Sequence, residues 1–261
     1  MFPGRNSERR PRVSVVLTTR DRPRFLSVAL SCFGQQAFPD QERELIVVDD
    51  GDHFPADEAA VTALGGSLVR VPPGTPLGSK LNAGIEVACG HLIQKMDDDD
   101  WYGPGFLTAM IAALDEEWRI ACRPTLAFLS PFLFFDLASW EMRRSAAGHM
   151  PGATLLFPRD VWEEAPFRPL PGDEDVWFLL DQMHLGAARL MVGAIDTFLA
   201  VRHGGLDSER GHTWTHQSSG QLLDEYTTRL APYGEPPEAL LPGWALDRYR
   251  AMRAGPEVAR S

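Results

Sequence analysis

The strand-like run His91-Leu92-Ile93-Gln94-Lys95-Met96 passes without a break into four consecutive aspartates, Asp97 to Asp100, and this junction constrains the fold most. An apolar run of that length reads as a buried strand. Four carboxylates at its end repel one another, and some stay protonated unless a cation compensates. A solvated turn with Asp100 as a helix N-cap would explain the acidity, but not its place directly behind a buried strand. A second apolar run, Leu45-Ile46-Val47-Val48, stops the same way at Asp49-Asp50-Gly51-Asp52. Ligands of open α/β sheets sit in the crevice outside the carboxyl ends of the strands, so two strands with acidic ends predict one site.

The rest of the first half supports that sheet. Val13 to Thr18 is β-branched and apolar, and Pro23 opens a helix expected to reach Phe33. Leu45 to Val48 has apolar residues at consecutive positions, as in a strand covered on both faces. A helix over 56–64, a strand over 67–71, a helix around Leu81, Ile85 and Ala88, and a helix from Pro104 to Glu117 follow. Strand and helix alternate, which predicts a mostly parallel central sheet flanked by helices, an α/β fold of Rossmann-like type. The second half is less regular. Strands are expected over 125–135, 153–157, 190–192 and 197–201, with helices over 173–185, 220–230 and 237–253. We read residues 1–11 as a flexible tail and 12–117 and 118–261 as two halves that together form one domain.

Composition narrows the function classes. A net charge of −11 argues against general nucleic-acid binding and against docking on anionic lipid. Cys32, Cys89 and Cys122 show no paired spacing, which fits neither a disulfide framework nor a Cys-based zinc site. No secretory signal and no transmembrane segment is read, so a cytoplasmic location is expected. The oligomeric state is not legible.

Hard divalent cations take carboxylate oxygens together with substrate phosphates, so Asp97 to Asp100 predict a Mn²⁺ or Mg²⁺ site. In an extended segment alternate residues face the same way, which would turn Asp97 and Asp99 into one site and Asp98 away from it. Four segments in order then carry a resemblance: Val13-Ser14-Val15-Val16-Leu17-Thr18-Thr19-Arg20-Asp21-Arg22-Pro23, Leu45 to Gly51, Lys80-Leu81-Asn82-Ala83-Gly84-Ile85, and Asp97 to Pro104. Together, over roughly residues 12–110, they resemble the GT-A fold glycosyltransferases of family 2.

That resemblance implies a metal-dependent, inverting, hexosyltransferase-like enzyme that moves a sugar from a nucleotide-diphosphate donor, UDP favoured, to an acceptor hydroxyl of unknown identity. It places Thr18, Thr19 and Asp21 near base and ribose, and Asp49 at the base with Asp50 beside it. It identifies Asp97 and Asp99 with the D-x-D motif, the first touching ribose or metal and the second ligating the metal, with Asp98 on the donor side. Many relatives carry Arg-Asn where this chain has Lys80-Leu81-Asn82; Lys80 supplies charge to a diphosphate without a planar fork. Asp173-Glu174-Asp175 resembles the acidic pair beside the acceptor, with Asp175 as the base and Glu174 as its neighbour. Taken alone, those residues are equally a helix N-terminus, where carboxylates complement the macrodipole. His212, in His212-Thr213-Trp214, is the expected third metal ligand, ahead of His203. Trp101, Trp177 and Trp214 could stack on sugar rings, with core packing the favoured role for Trp177. Two other readings remain: a non-catalytic nucleotide-sugar-binding module, and a carboxylate- and metal-dependent nuclease or phosphatase.

Overall fold

The computed structural model describes residues 11–121, 123–203 and 230–254. The elements in the first half are β1 (Val13–Thr19), α1 (Pro23–Gly34), β2 (Arg43–Asp49), α2 (Glu58–Thr62), β3 (Ser67–Arg70), α3 (Leu77–Val87), β4 (Leu92–Asp97), β5 (Trp101–Tyr102) and α4 (Phe106–Ala121). Beyond them lie β6 (Thr125–Leu129), β7 (Leu133–Asp136), β8 (Glu141–Arg144), β9 (Leu156–Pro158), α5 (Arg159–Glu164), α6 (Glu174–His184), β10 (Ala188–Val192), β11 (Phe198–Arg202), β12 (Ala231–Pro232) and α7 (Gly243–Arg253). The expected helix over 220–230 falls almost wholly outside the described residues.

A seven-stranded sheet in the order β10-β6-β9-β4-β1-β2-β3 forms the centre. It is parallel except at β9, which runs against both β4 and β6. Every residue of β1 is buried, because helices cover both faces. On β4, Leu92 and Met96 pack toward one core with α1, α4 and α7, while Ile93 joins the other core with α3, α5 and α6. Alternation therefore sends Lys95 and Asp97 to the α3–α6 side. Gly84 lets α3 lie close on the sheet: a Cβ there would come within 2.7 Å of Val16 and 2.8 Å of Val48.

A second, five-stranded sheet, β12-β8-β7-β11-β5, was not expected. Its strands are short, and β8 reads Glu-Met-Arg-Arg, a half-exposed pattern without a long apolar run. The strand pair expected in the apolar stretch over 125–137 is present as β6 and β7, which fall in different sheets. The expected helix over 237–253 is likewise two pieces, a 3₁₀ turn at Pro237–Ala239 and α7. Pro242 separates them, since it cannot donate within a helix. Among the described residues no helix is long and apolar enough to cross a membrane.

Candidate functional site

The acidic run is the bridge between the two sheets: β4 ends at Asp97 in the first, and β5 begins at Trp101 in the second. It is pinned at both ends. The Tyr102 hydroxyl accepts from Asp97 N–H at 2.7 Å and donates to the Ala153 carbonyl at 3.1 Å. Asp100 Oδ1 accepts from Val201 N–H at 2.8 Å, which fastens the run to β11.

Because the chain bends after β4, strand alternation does not hold through the run. Asp98 was expected to face away from Asp99, but one Arg22 nitrogen donates to both, at 2.9 Å each. Thr19 Oγ1 adds a 2.7 Å bond to the other oxygen of Asp98. Asp97 turns instead to Lys95, whose Nζ donates to its Oδ1 at 2.8 Å. Asp99 Oδ2 also lies 3.1 Å from His203 Nε2, and the imidazole packs on the Phe25 ring at 4.4 Å between centroids. Asp98, Asp99 and Asp100 are buried, while the Asp97 side chain is about one-third exposed, at 32%.

Burial dominates the charge balance. It pushes the Asp98 carboxyl up to about 6, although Arg22 opposes the shift. Burial, with the charges of Asp99 and Asp97, holds Asp100 well above the ordinary carboxylate range. Burial alone would lower Arg22, yet Asp98 and Asp99 outweigh it and raise its pKa.

The residues expected on the donor side form a second network around the end of β2. Asp49 accepts from Gly51 and Ala56 N–H, both at 2.8 Å, and from Arg70 at 2.8 Å. Asp21, in the left-handed region at φ 53°, accepts from His53 and Phe54 N–H at 2.9 and 2.7 Å. These two carboxylates thus shape the loop over 51–56. Lys80 Nζ donates to Asp50 Oδ1 at 2.7 Å, and Gly74 N–H to its other oxygen at 3.1 Å. Thr18 is buried at the β1 end, in register with Asp97. Asn82, two positions after Lys80, is structural. It donates to the Phe167 carbonyl at 2.8 Å and accepts from Trp162 Nε1 and Phe167 N–H at 2.8 and 3.0 Å.

Glu174 and Asp175, the pair expected beside the acceptor, open α6. Asp173 precedes it at φ 58° and makes no side-chain cap bond. Glu174 is buried and stands 3.7 Å from Lys95 Nζ. Two carboxylates compete for that ammonium and Asp97 is the nearer, so burial prevails at Glu174 and pushes it up to about 7. Burial alone would lower Lys95, but Asp97, Glu174 and Asp175 together raise it. Asp175 is half-buried and lies against Gly152, where a Cβ would fall 1.6 Å from its Oδ2.

Four residues at these networks were missed as site members or ranked low: Arg22, Arg70, Lys95 and His203. Gln94-Lys95 inside a fully buried strand was the available signal for Lys95. Trp101 is buried in the core rather than offered to a sugar. Trp177 is not a core residue: it is 41% exposed on the outer face of α6, beneath Arg168 at 4.2 Å. His212 and Trp214 lie outside the described residues.

Carboxylate and imidazole are ligand types that a divalent ion takes, and Asp99 Oδ2 and His203 Nε2, 3.1 Å apart, are separated by about the edge of an octahedral shell with bonds near 2.1 Å; the same Asp99 oxygen also accepts from Arg22 at 2.9 Å, a bond that an ion there would displace. Among the described residues no group of three or more such ligands gathers.

The family described as "Glycosyl transferase family 2" matches residues 14–151, a little over half of the chain. No curated protein sequence matches it. Among solved structures, S. aureus TarS 1-349 superposes with a TM-score of 0.56 at 15% identity, covering 75% of this chain and 61% of its own. The same protein in complex with UDP-GlcNAc gives 0.57 at 16% identity, over 82% and 64%. The mannosyltransferase PcManGT from Pyrobaculum calidifontis, in complex with GDP-Man and Mn²⁺, gives 0.58 at 18% identity, over 78% and 59%. The chain thus spans less than two-thirds of these structures, and at such identity the likeness concerns the fold.

Proposed function

The chain belongs to glycosyl transferase family 2 and is a glycosyltransferase, and from that premise we propose a metal-assisted, inverting transfer of a sugar from a nucleotide-diphosphate donor, UDP favoured, to an acceptor hydroxyl. The observation that carries this reading is the meeting of the two acidic pairs at one side chain. Lys95 stands 2.8 Å from Asp97 and 3.7 Å from Glu174, so the donor strand and the base-bearing helix converge at the carboxyl end of β4.

Thr18, Thr19, Asp21, Asp49 and Asp50 shape the nucleotide end, and Lys80 offers its charge to the diphosphate. Asp97 faces the donor ribose. Asp98, held by Thr19 and Arg22, fixes the position of Asp99. Asp99 and His203 are the residues that would hold Mn²⁺ or Mg²⁺; His212 is a further candidate outside the described residues. Such an ion, when bound, neutralises charge on the diphosphate as the nucleotide departs. Asp175 takes the acceptor hydroxyl's proton as that oxygen attacks the anomeric carbon from the face opposite the leaving nucleotide. Glu174, pushed up to about 7 by burial, is its neighbour at the head of α6. The complexes of relatives with UDP-GlcNAc and with GDP-Man and Mn²⁺ support this class of donor without deciding the base. A cytoplasmic setting is part of the same proposal.

A thermal-shift panel of UDP, GDP and dTDP, each with and without Mn²⁺, tests the reading. A stabilisation that requires nucleotide and Mn²⁺ together is expected, largest for UDP, with turnover of the matching nucleotide sugar. Binding without turnover would leave a non-catalytic module, and no binding in any arm would sink the proposal.

A further inference from the structure

Among the described residues nine large hydrophobic side chains are exposed, and six of them fall between positions 176 and 191: Val176, Trp177, Leu180, Met183, Leu185 and Met191. Scattered apolar residues are ordinary on a protein surface, but a cluster marks a place where something binds. Val176, Leu180 and Met183 recur at i, i+4 and i+7, one stripe along α6. The buried residues Glu174, Phe178 and Gln182 lie on the opposite side of that helix.

β10 continues the surface. It is an end strand of the seven-stranded sheet, paired with β6 on one side. Leu190 and Val192 turn to the core shared with α1 and α4, so alternation sends Arg189 and Met191 to the face that carries α6. Met191 is 57% exposed there. Ala188 N–H is bonded on the β6 side, to the Pro124 carbonyl at 2.8 Å, which aims the main-chain groups of Arg189 and Met191 at the outer edge. Such an edge is a template for another strand. The opposite edge of the sheet, β3, exposes Ser67 and Arg70 instead.

Two features commit this surface to a second copy of the chain. The first is charge. α6 carries Glu174 and Asp175 in its first turn and His184 in its last, and the exposed Arg189 follows a turn over 185–187. Two such helices set antiparallel place each acidic head beside the other's basic tail and align their macrodipoles favourably. The second is register. A two-fold axis at Leu190, the middle residue of β10, sets Arg189 opposite the partner's Met191, so no like charges meet. The same axis brings the two α6 stripes side by side on one face. Anionic lipid is the poorer occupant, since Asp173 and Asp181 border the stripe and Arg168 is already held by Asp181 at 2.7 Å. We propose that β10 and α6 form a two-fold dimer interface, with the β10 strands paired antiparallel to continue the sheet and the α6 stripes packed together. Asp175, turned to Gly152, stays outside it, and the inference does not depend on the transferase reading.

Sedimentation velocity of the full chain from about 1 to 100 µM is the test, with a species of twice the chain mass expected by about 10 µM. Met191→Lys adds the charge that guards natural edge strands, and Leu180→Asp puts one in the middle of the stripe. Each should raise the dissociation constant by about tenfold or more. Both positions are exposed, so far-ultraviolet circular dichroism should not change; should one variant misfold, the other decides. Val87→Lys, at an exposed site on α3, should associate as wild type does. Exchange of the Arg189 and Met191 amides should slow by about tenfold from the dilute to the concentrated sample. A monomer at about 100 µM overturns the proposal, as does a dimer that folded Met191→Lys and Leu180→Asp chains retain. Binding to phosphatidylcholine–phosphatidylglycerol vesicles in place of self-association overturns it too.

Discussion

Replacing Gly152 with alanine is expected to disable transfer while leaving the fold intact. A Cβ at this position would lie 1.6 Å from Asp175 Oδ2 and 2.5 Å from its Cγ. Ordinary contact begins near 3.4 Å, so the carboxylate oxygen must retreat by roughly 1.8 Å. Asp175 is half-buried and accepts from Val176 N–H at 2.8 Å, so a new rotamer clears its oxygen and Cγ; its Cβ, 2.8 Å from the added carbon, needs a backbone shift of a few tenths of an ångström besides, at a cost on the order of 1 kcal/mol. Catalysis does not share that tolerance, since a displacement of about 1 Å at a reacting group costs on the order of a hundredfold in rate. Release of nucleotide from the donor that the thermal-shift panel identifies is the assay. For Gly152→Ala, kcat should fall by about a hundredfold, with donor KM within about threefold and Tm within a few degrees. Asp175→Asn should fall comparably, and the double variant little further, because both changes remove one function. Wild-type turnover in a folded Gly152→Ala protein would remove Asp175 from the role of base.

Three further outcomes are expected. Asp99→Asn should abolish the part of nucleotide stabilisation that requires Mn²⁺ and cut turnover by about a hundredfold or more; persistence of the Mn²⁺-dependent shift would count against Asp99 as a ligand. Glu174, pushed up to about 7 by burial, binds its proton more tightly folded than unfolded, so its contribution is complete below the ordinary glutamate pKa and is lost as pH rises through 7. Glu174→Gln should therefore flatten a decline in stability between about pH 4.5 and 7 worth on the order of 2 kcal/mol, seen as Tm against pH; an unchanged profile would refute the shift. Asn82→Leu strands the Trp162 and Phe167 N–H groups and the Phe167 carbonyl. A loss of about 2–4 kcal/mol in urea unfolding is expected, and a loss below about 0.5 kcal/mol would show that water replaces the amide.

The central sheet was legible because a strand covered on both faces carries a run of consecutive apolar residues, as Val15 to Leu17 of β1 and Leu45 to Val48 of β2 do, and because polar and acidic residues follow each run. The second sheet was not. β5 has two residues and pairs with β11 almost a hundred positions later, and no local pattern announces such a contact. Residue types at the site were readable, but their partners were not: Asp98 looked turned away because alternation was assumed past the end of β4, where the backbone bends. Lys95 and His203 become informative only when the third dimension brings Glu174 and Asp99 to them. Trp177 was misplaced for the opposite reason, since its neighbours Phe178 and Leu179 are the buried ones and a bulky ring one step away on a helix passes for core.

The bridge between the sheets also sets a timetable. Asp100 waits for Val201 and Asp99 for His203, partners 101 and 104 positions downstream. At about 5–20 residues per second, a ribosome makes that length in about 5–20 s, and until then Asp99 and Asp100 lack those two partners. Long-range pairing of this kind is entropically late in folding. No growing intermediate therefore presents the finished acidic run, and a chain cut near residue 120 should neither bind nor consume a nucleotide sugar.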